Sequence, residues 1–243
     1  LPGEATGTVF NNDTMHSTQL ATSSFGQSQT VTMVQMAAAF SAIVNGGNYY
    51  RPHVVEEVSS ESGAVIQSED DAVESKVITE KTSRLLRKFL LATVEEGTAN
   101  PASVKGYKVA GKTGTAEKIN PETGTRWEGK YLVSFIGCAP VDDPQLTVYV
   151  VVDEPNVENQ ETGGYSMIIS RKIMMEVLPY LNIPQTEEIT DELLQELELT
   201  REDVENGRNA ALIKEKSETT ETDEYGNVIS SGTTAETDEY GNV

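Results

Sequence analysis

Two hydroxyls, an amine and two glycines stand together in Gly111-Lys112-Thr113-Gly114-Thr115, within a longer run from Tyr107 to Lys118. The run alternates as a β-strand does, and in an extended segment successive side chains point to opposite faces. Thr113 and Thr115 therefore share a face, and Gly114 between them leaves the other face bare. Hydroxyl donors, a lysine ammonium and exposed strand backbone make a receptor for a carboxylate attached to a peptide. The glycines mark places where a side chain would obstruct a close approach.

Other reactive side chains are sparse. Cys138 is the only cysteine, so no intrachain disulfide can form, and with only His16 and His53 beside it a Cys/His metal cluster is not credible. Neither histidine belongs to an evident Ser-His-Asp arrangement, and both read as loop or strand-end residues. Cys138 follows Phe135 and Ile136 in a strand pattern and reads as a small core hydrophobe rather than a reactive thiol. Trp127 falls in the turn between two strands, either at the mouth of a cleft or as a plain loop aromatic. No cofactor is implied.

The strand that carries the two threonines needs neighbours, and the flanking sequence supplies them. Residues 107–118, 131–139 and 146–153 read as three strands, joined by turns at Asn120–Gly124 and Asp142–Pro144. Connections this short require antiparallel pairing, because a parallel return needs a crossover of a dozen residues or more. The third strand is almost continuously apolar, as expected with both faces covered. Residues 165–181 make a helix apolar around most of its girth, expected to be largely buried on that sheet.

Upstream, residues 1–30 are rich in Gly, Thr and Ser and suggest ordered loops or short helical turns. A helix follows, with Thr32 and Gln35 as a capping box. Met33, Met36, Ala37, Phe40, Ile43 and Val44 form its apolar face, and Asn45-Gly46-Gly47 ends it. From Tyr49 the period shifts towards two, and a small exposed hairpin is expected with its turn near Ser62-Gly63. Glu69-Asp70-Asp71 reads as a solvated loop. A second helix is expected from about Thr79 to Glu96, with Leu85, Leu86, Phe89, Leu90 and Val94 inward and Gly97 at its end.

The 243 residues leave room for one or two domains with a real core, but 37% hydrophobic content is low for a wholly globular chain. The net charge of −21 argues against nucleic acid as a partner. Acid is concentrated at the end: residues 185–243 hold 17 Asp and Glu against 4 Lys and Arg. Thr190 to about Glu205 could form an acidic amphipathic helix. Beyond it Glu221–Val228 recurs letter for letter at residues 236–243. Such a repeat cannot bury enough surface to offset its ordering entropy, so a disordered acidic tail is expected after a folded part at residues 1–184. No 18-residue apolar run is present to span a membrane.

With these elements around it, Gly-Lys-Thr-Gly-Thr resembles the strand motif of penicillin-binding proteins, one of the signatures shared with class A β-lactamases. The resemblance is to the C-terminal part of the transpeptidase domain, nearest to class B enzymes, the peptidoglycan D,D-transpeptidases of cell division and sporulation. It covers roughly residues 1–183. It is carried also by Leu1–Glu4, Ser24–Gln27, Met33–Phe40, Asn45–Gly47, Arg51–Val55, Gly97–Ala99 and Ser134–Pro140, although an aromatic is more usual where Cys138 stands. It implies an α+β fold, an antiparallel sheet flanked by helices. It also implies an acyl-enzyme mechanism in which a serine attacks the carbonyl of a terminal D-Ala-D-Ala or of a β-lactam.

The same resemblance assigns Thr113 and Thr115 to the substrate carboxylate and the Thr115 N–H to the oxyanion hole. Lys112 would supply positive potential and assist proton transfer, and Gly114 would let the strand approach the nucleophile's helix. Expected partners are peptidoglycan stem peptides, β-lactams and other cell-wall synthesis proteins. The expected location is the extracytoplasmic face of a bacterial membrane, reached only through an anchor upstream of Leu1. No serine here has a lysine three residues on, and no Ser-x-Asn occurs, so this chain alone is expected not to acylate. Tyr225-Gly226-Asn227 and Tyr240-Gly241-Asn242 have a related form but lie on the wrong side of the strand motif. Because the chain opens inside Leu-Pro-Gly-Glu, truncation is the expected reason. The competing readings are a β-lactamase-like hydrolase or β-lactam sensor, and a non-catalytic interaction domain.

Overall fold

The computed structural model describes residues 1–186 apart from Pro2, Asn12, Glu56, Glu61, Ala64 and residues 69–74. The expected loop at Glu69–Asp71, the acidic helix from Thr190 and the duplicated octapeptide lie outside the described residues. The chain divides into two compact units, Leu1–Leu86 and Arg87 onwards.

In the first unit, Thr8 and Thr30 bridge through reciprocal backbone bonds of 2.7 and 3.0 Å on either side of a short helix α1 (Ser17–Ser23). His16 precedes α1, and its N–H donates to Gln19 Oε1 at 3.0 Å. Helix α2 (Met33–Val44) begins as its sequence dictates: Thr32 Oγ1 accepts from the Gln35 N–H at 3.1 Å, and Gln35 Oε1 accepts from the Thr32 N–H at 2.9 Å. It ends at Asn45, whose side chain bonds both backbone groups of Asn48. Gly47 has φ +93°, and a Cβ there would stand 2.1 Å from the Ile78 carbonyl oxygen, so no other residue fits. Phe40, Ala42 and Val44 are the buried residues of α2, whereas Met33, expected inward, is half exposed. Met33 sits in the first turn, beyond the reach of the packing that covers the later turns.

Strand β1 (Asn48–Tyr49) pairs antiparallel with β4 (Ser75–Lys76), enclosing the hairpin of β2 (Glu57–Ser59) and β3 (Val65–Ser68). The hairpin and its glycine turn are as the alternation indicates; Gly63 has φ +80°. The β1–β4 pair is not foreshadowed, because two-residue strands carry no period. Helix α3 (Glu80–Glu95) crosses the division between the units. Its buried line runs through Ser83, the half-buried Leu86 and Leu90, and Val94, while Leu85 and Phe89 are 50% and 60% exposed, against expectation. The helix carries two apolar stripes, and periodicity does not say which one turns inward. Ser83 decides it: its hydroxyl donates to the Ile43 carbonyl at 2.5 Å and accepts from the Gly46 N–H at 3.0 Å, pinning that side.

The second unit is a three-stranded antiparallel sheet, β5 (Ala110–Ile119), β6 (Arg126–Ala139) and β7 (Leu146–Asp153), covered by α4 (Gly164–Tyr180). Its core gathers Val94, Val109, Phe135, Val148, Met167, Met174 and Leu178. β5 starts three residues later than the alternation suggests. Tyr107 and Val109 are buried, but the Lys108 carbonyl accepts from the Val141 N–H and its N–H donates to Thr186 Oγ1, so this stretch is held outside the ladder. β6 starts earlier than expected and takes in Trp127, which is 40% exposed on a strand rather than in a turn. β7 lies at the sheet margin, and of its residues only Val148 is buried; the expected double cover is not present among the described residues. α4 buries one side and leaves Ile169 and Ile173 about two-fifths exposed. Cys138 is fully buried in β6, and burial pushes its thiol up to about 12, as befits a core residue.

At the far end of the sheet, Glu154 bridges two lysines: Oε1 to Lys118 Nζ and Oε2 to Lys130 Nζ, each at 2.7 Å. Lys118 also reaches Asp153 at 2.8 Å, so its side chain ties β5 across β6 to the end of β7. The two lysine hydrogen bonds hold the Glu154 carboxyl down to about 2. Its folded value is depressed, so its contribution to stability is complete above about pH 4.5 and is lost as pH falls towards 2. Glu154→Gln is therefore expected to remove part of the slope of stability between about pH 4.5 and 2, read by urea denaturation at several pH values, and to change little of the slope above that window. In the first unit, Thr32→Ala is expected to cost about 1 kcal/mol at neutral pH, because the first turn of α2 loses its cap.

Candidate active site

The Gly111–Thr115 motif lies on β5, which pairs with β6 on one side and is open on the other among the described residues. On such a strand alternate residues turn their N–H and C=O outward. Side-chain donors reveal which set faces out. Thr93 Oγ1 donates to the Gly111 carbonyl, and Lys112 Nζ donates to the Thr113 carbonyl at 3.0 Å. By the same alternation the Thr115 N–H points out along this edge.

Register fixes the faces. Thr113 is opposite Phe135, which is opposite Val150, and Thr115 is opposite Val133 and then Val152. Paired residues share a face, and Phe135 and Val150 pack in the core with Met167 and Met174 of α4. The two threonines are thus on the helix side of the sheet, where α4 begins. Thr113 Cγ2 lies 3.8 Å from where a Cβ of Gly163 would be, and Thr115 Oγ1 donates to the Glu161 carbonyl at 3.5 Å. Lys112 belongs to the other face, but its exposed ammonium bends round the open edge to within 3.3 Å of Thr113 Oγ1. One ammonium, two hydroxyls and an outward N–H therefore converge on a single strand edge, an arrangement suited to an anion joined to an extended peptide.

Each glycine has an identifiable obstacle. A Cβ on Gly111 would stand 2.3 Å from the Phe135 ring, and one on Gly137 2.7 Å from the same ring. A Cβ on Gly114 would stand 2.6 Å from Ser134 Oγ, its partner across the ladder. Sequence reasoning did not single out Ser134, Gln160, Glu161 or Gly163 as site neighbours. The last three come from the segment between β7 and α4, more than 40 residues beyond Thr115, and no local pattern announces them. Tyr131 joins them: its N–H donates to Gln160 Oε1 at 3.1 Å. Partial burial, with the nearby Glu161 and Glu117 carboxylates, pushes its phenol above the usual range. Cys138 is not part of this site, being buried in β6; His16 and His53 belong to the first unit, where His53 is an exposed residue bonded to the Arg51 carbonyl.

The clash at Gly114 yields a paired prediction. Gly114→Ala alone is expected to destabilise the β5–β6 ladder, whereas Gly114→Ala with Ser134→Ala recovers most of the loss. The coupling between the two changes, read from denaturant midpoints, should be about 1 kcal/mol or more; strictly additive changes would show that Ser134 is not the obstacle.

Known proteins resemble this chain in sequence and in fold. The family model for the penicillin binding protein transpeptidase domain matches residues 1–175. Stage V sporulation protein D of Bacillus subtilis is 41% identical over 184 residues, which cover 75% of this chain and 28% of that protein. The probable peptidoglycan D,D-transpeptidase PenA of Neisseria meningitidis is 31% identical over 191 residues, covering 78% of this chain and 31% of the relative. Among solved structures, penicillin binding protein 3 from Mycobacterium tuberculosis complexed with ampicillin superposes with a TM-score of 0.69 at 28% identity, over 79% of this chain and 44% of that one. The chain spans less than a third of the length of these two curated relatives. The chain belongs to the penicillin binding protein transpeptidase family.

Proposed function

We infer that this chain forms the carboxylate-binding wall of a serine peptidoglycan D,D-transpeptidase. The observation that carries the reading is the open edge of β5, where Lys112, Thr113 and Thr115 present an ammonium, two hydroxyls and an outward N–H. The names of the relatives and the ampicillin complex of the structural neighbour support the same reading.

In this reading a stem peptide ending in D-Ala-D-Ala lies along the edge as an added strand. The Thr113 hydroxyl donates to its terminal carboxylate, the Thr115 hydroxyl turns from its long 3.5 Å contact with the Glu161 carbonyl to donate there too, and the Lys112 ammonium contributes positive potential. The serine comes from a part of the protein other than this chain. Its oxygen bonds to the penultimate D-Ala carbonyl carbon, and the developing oxyanion accepts from the Thr115 N–H. Collapse of that adduct breaks the peptide bond, and the terminal D-Ala leaves with a proton. An amine of a second stem then attacks the acyl-enzyme and restores the serine. A β-lactam carboxylate would occupy the same hydroxyls. Lys112, Thr113 and Thr115 bind, Lys112 and Thr115 also act in the chemistry, and Gly114 keeps the ladder closed beside them. The reaction would take place on the extracytoplasmic face of the membrane, with other cell-wall synthesis proteins as partners. Among the described residues no helix is long and apolar enough to cross a membrane.

A fluorescent penicillin is expected to label the full-length gene product covalently. Lys112→Ala and Thr115→Val should each slow labelling by about 10- to 100-fold, the scale of a lost hydrogen bond or ion contact to a charged group. A full-length protein that takes no label, or labels at the same rate without the Lys112 ammonium, would falsify the assignment.

A further inference from the structure

The segment from Glu154 to Gly163, between β7 and α4, is fastened to the sheet at several points, and two of them meet at Tyr131. β7 ends at Asp153, opposite Leu132, so at Tyr131 the central strand β6 has run out of ladder on that side. Its two backbone groups are nevertheless satisfied. The Glu154 N–H donates to the Tyr131 carbonyl at 2.9 Å, and the Gln160 side-chain oxygen accepts from the Tyr131 N–H at 3.1 Å. Gln160 thus acts as one more rung, a side-chain amide standing in for a strand carbonyl. Glu154 keeps this geometry with φ +46°, a left-handed conformation that costs energy for a residue with a Cβ, and its carboxylate is held by Lys118 and Lys130. From this anchored stretch the Glu161 carbonyl reaches Thr115 Oγ1, and Gly163 lies beside Thr113.

Edge strands are the least constrained part of a sheet, and Thr115 lies only two residues before the register shift between Glu117 and Ile119. Fraying at that end would move the Thr115 hydroxyl and N–H together. The geometry points to Gln160, supported by Glu154, as a positioning residue: it straps residues 154–163 against Tyr131 so that Thr115 is held in place at the strand end until a ligand carboxylate takes over its hydroxyl hydrogen bond from the Glu161 carbonyl. This rests on the transpeptidase reading of the β5 edge and adds the device that keeps the edge in place. Gln160 touches neither substrate nor serine; it acts through the strap and Thr115.

The test is the second-order rate of acylation of the full-length protein by a fluorescent penicillin, with thermal melting of each variant alongside. Gln160→Ala is expected to lower the rate about tenfold, the scale of a sub-ångström misplacement of a binding group, with an unchanged melting temperature. Gln160→Glu, which keeps an acceptor for the Tyr131 N–H, should acylate at the parent's rate. In a Thr115→Val background, Gln160→Ala should cause no further loss, because the strap reaches Thr115 through the hydroxyl that this variant already lacks. A Gln160→Ala rate equal to the parent's, failure of Gln160→Glu to restore it, or penalties that multiply in the double variant would overturn the proposal. Should Gln160→Ala not fold, Glu154→Gln is read in the same assay: a slowed rate supports the strap and an unchanged one overturns it. A parent that takes no label, or labels independently of Lys112, removes the site reading and the strap together. A Lys112-dependent parent with an unaffected Gln160→Ala removes the strap alone.

Discussion

The ring of Phe135 sets the geometry on which the candidate site depends. It is fully buried, and it occupies the space that side chains at Gly111 and Gly137 would fill. Those glycines face each other across the ladder, one on β5 and one on β6. An aromatic ring laid over a glycine pair gives two otherwise weak strand positions a shared packing surface. Because the ring belongs to the face that α4 covers, one side chain joins the edge strand, the central strand and the helix. Removing a buried ring of this kind typically costs about 3–5 kcal/mol. Here the damage would also reach the strand segment carrying Lys112, Thr113 and Thr115, which pairs with the residues on either side of that ring.

This constraint explains why the motif carries two glycines with different roles. Gly111 is small for the core, since a Cβ would strike the Phe135 ring. Gly114 is small for the opposite face, where the Ser134 hydroxyl leans into its space. Between them, Lys112 and Thr113 can diverge to opposite faces and still meet at the open edge, because the lysine stem is long enough to bend round it. The outward carbonyls of Gly111 and Thr113 are occupied by Thr93 and Lys112, so the backbone is anchored on both sides of the residues that would meet a ligand.

The remainder of the second unit serves the same edge from a distance. Lys118 ties the end of β5 to the end of β7, and Gln160 continues the ladder of β6 past the point where β7 stops. Both use polar side chains where regular pairing has run out. Such contacts are individually modest, but Lys118 acts on β5, which has only one paired neighbour among the described residues, and Gln160 acts on β6 where its second neighbour has ended.

Much of this was legible in the sequence, and the reason differs by element. The cap of α2 is a local contact between Thr32 and Gln35, so four residues suffice to specify it. The antiparallel order of the three strands follows from turns too short to permit anything else, and the motif's alternation places Thr113 and Thr115 on one face. Choices among equivalent surfaces were not legible. Leu85 and Phe89 on α3 have the same periodic claim to burial as Leu86 and Leu90, and the contact of Ser83 with Ile43 and Gly46, residues about 40 positions earlier, settled it. Nor could alternation say that the threonines would face α4, or that Gln160 and Glu161 would come to Tyr131 and Thr115. Residue type and spacing determined which groups could bind a peptide carboxylate, because that is chemistry carried within five residues. Their surroundings were decided by tertiary structure alone, because register, strand endings and the path from β7 to α4 depend on contacts between residues far apart in the chain.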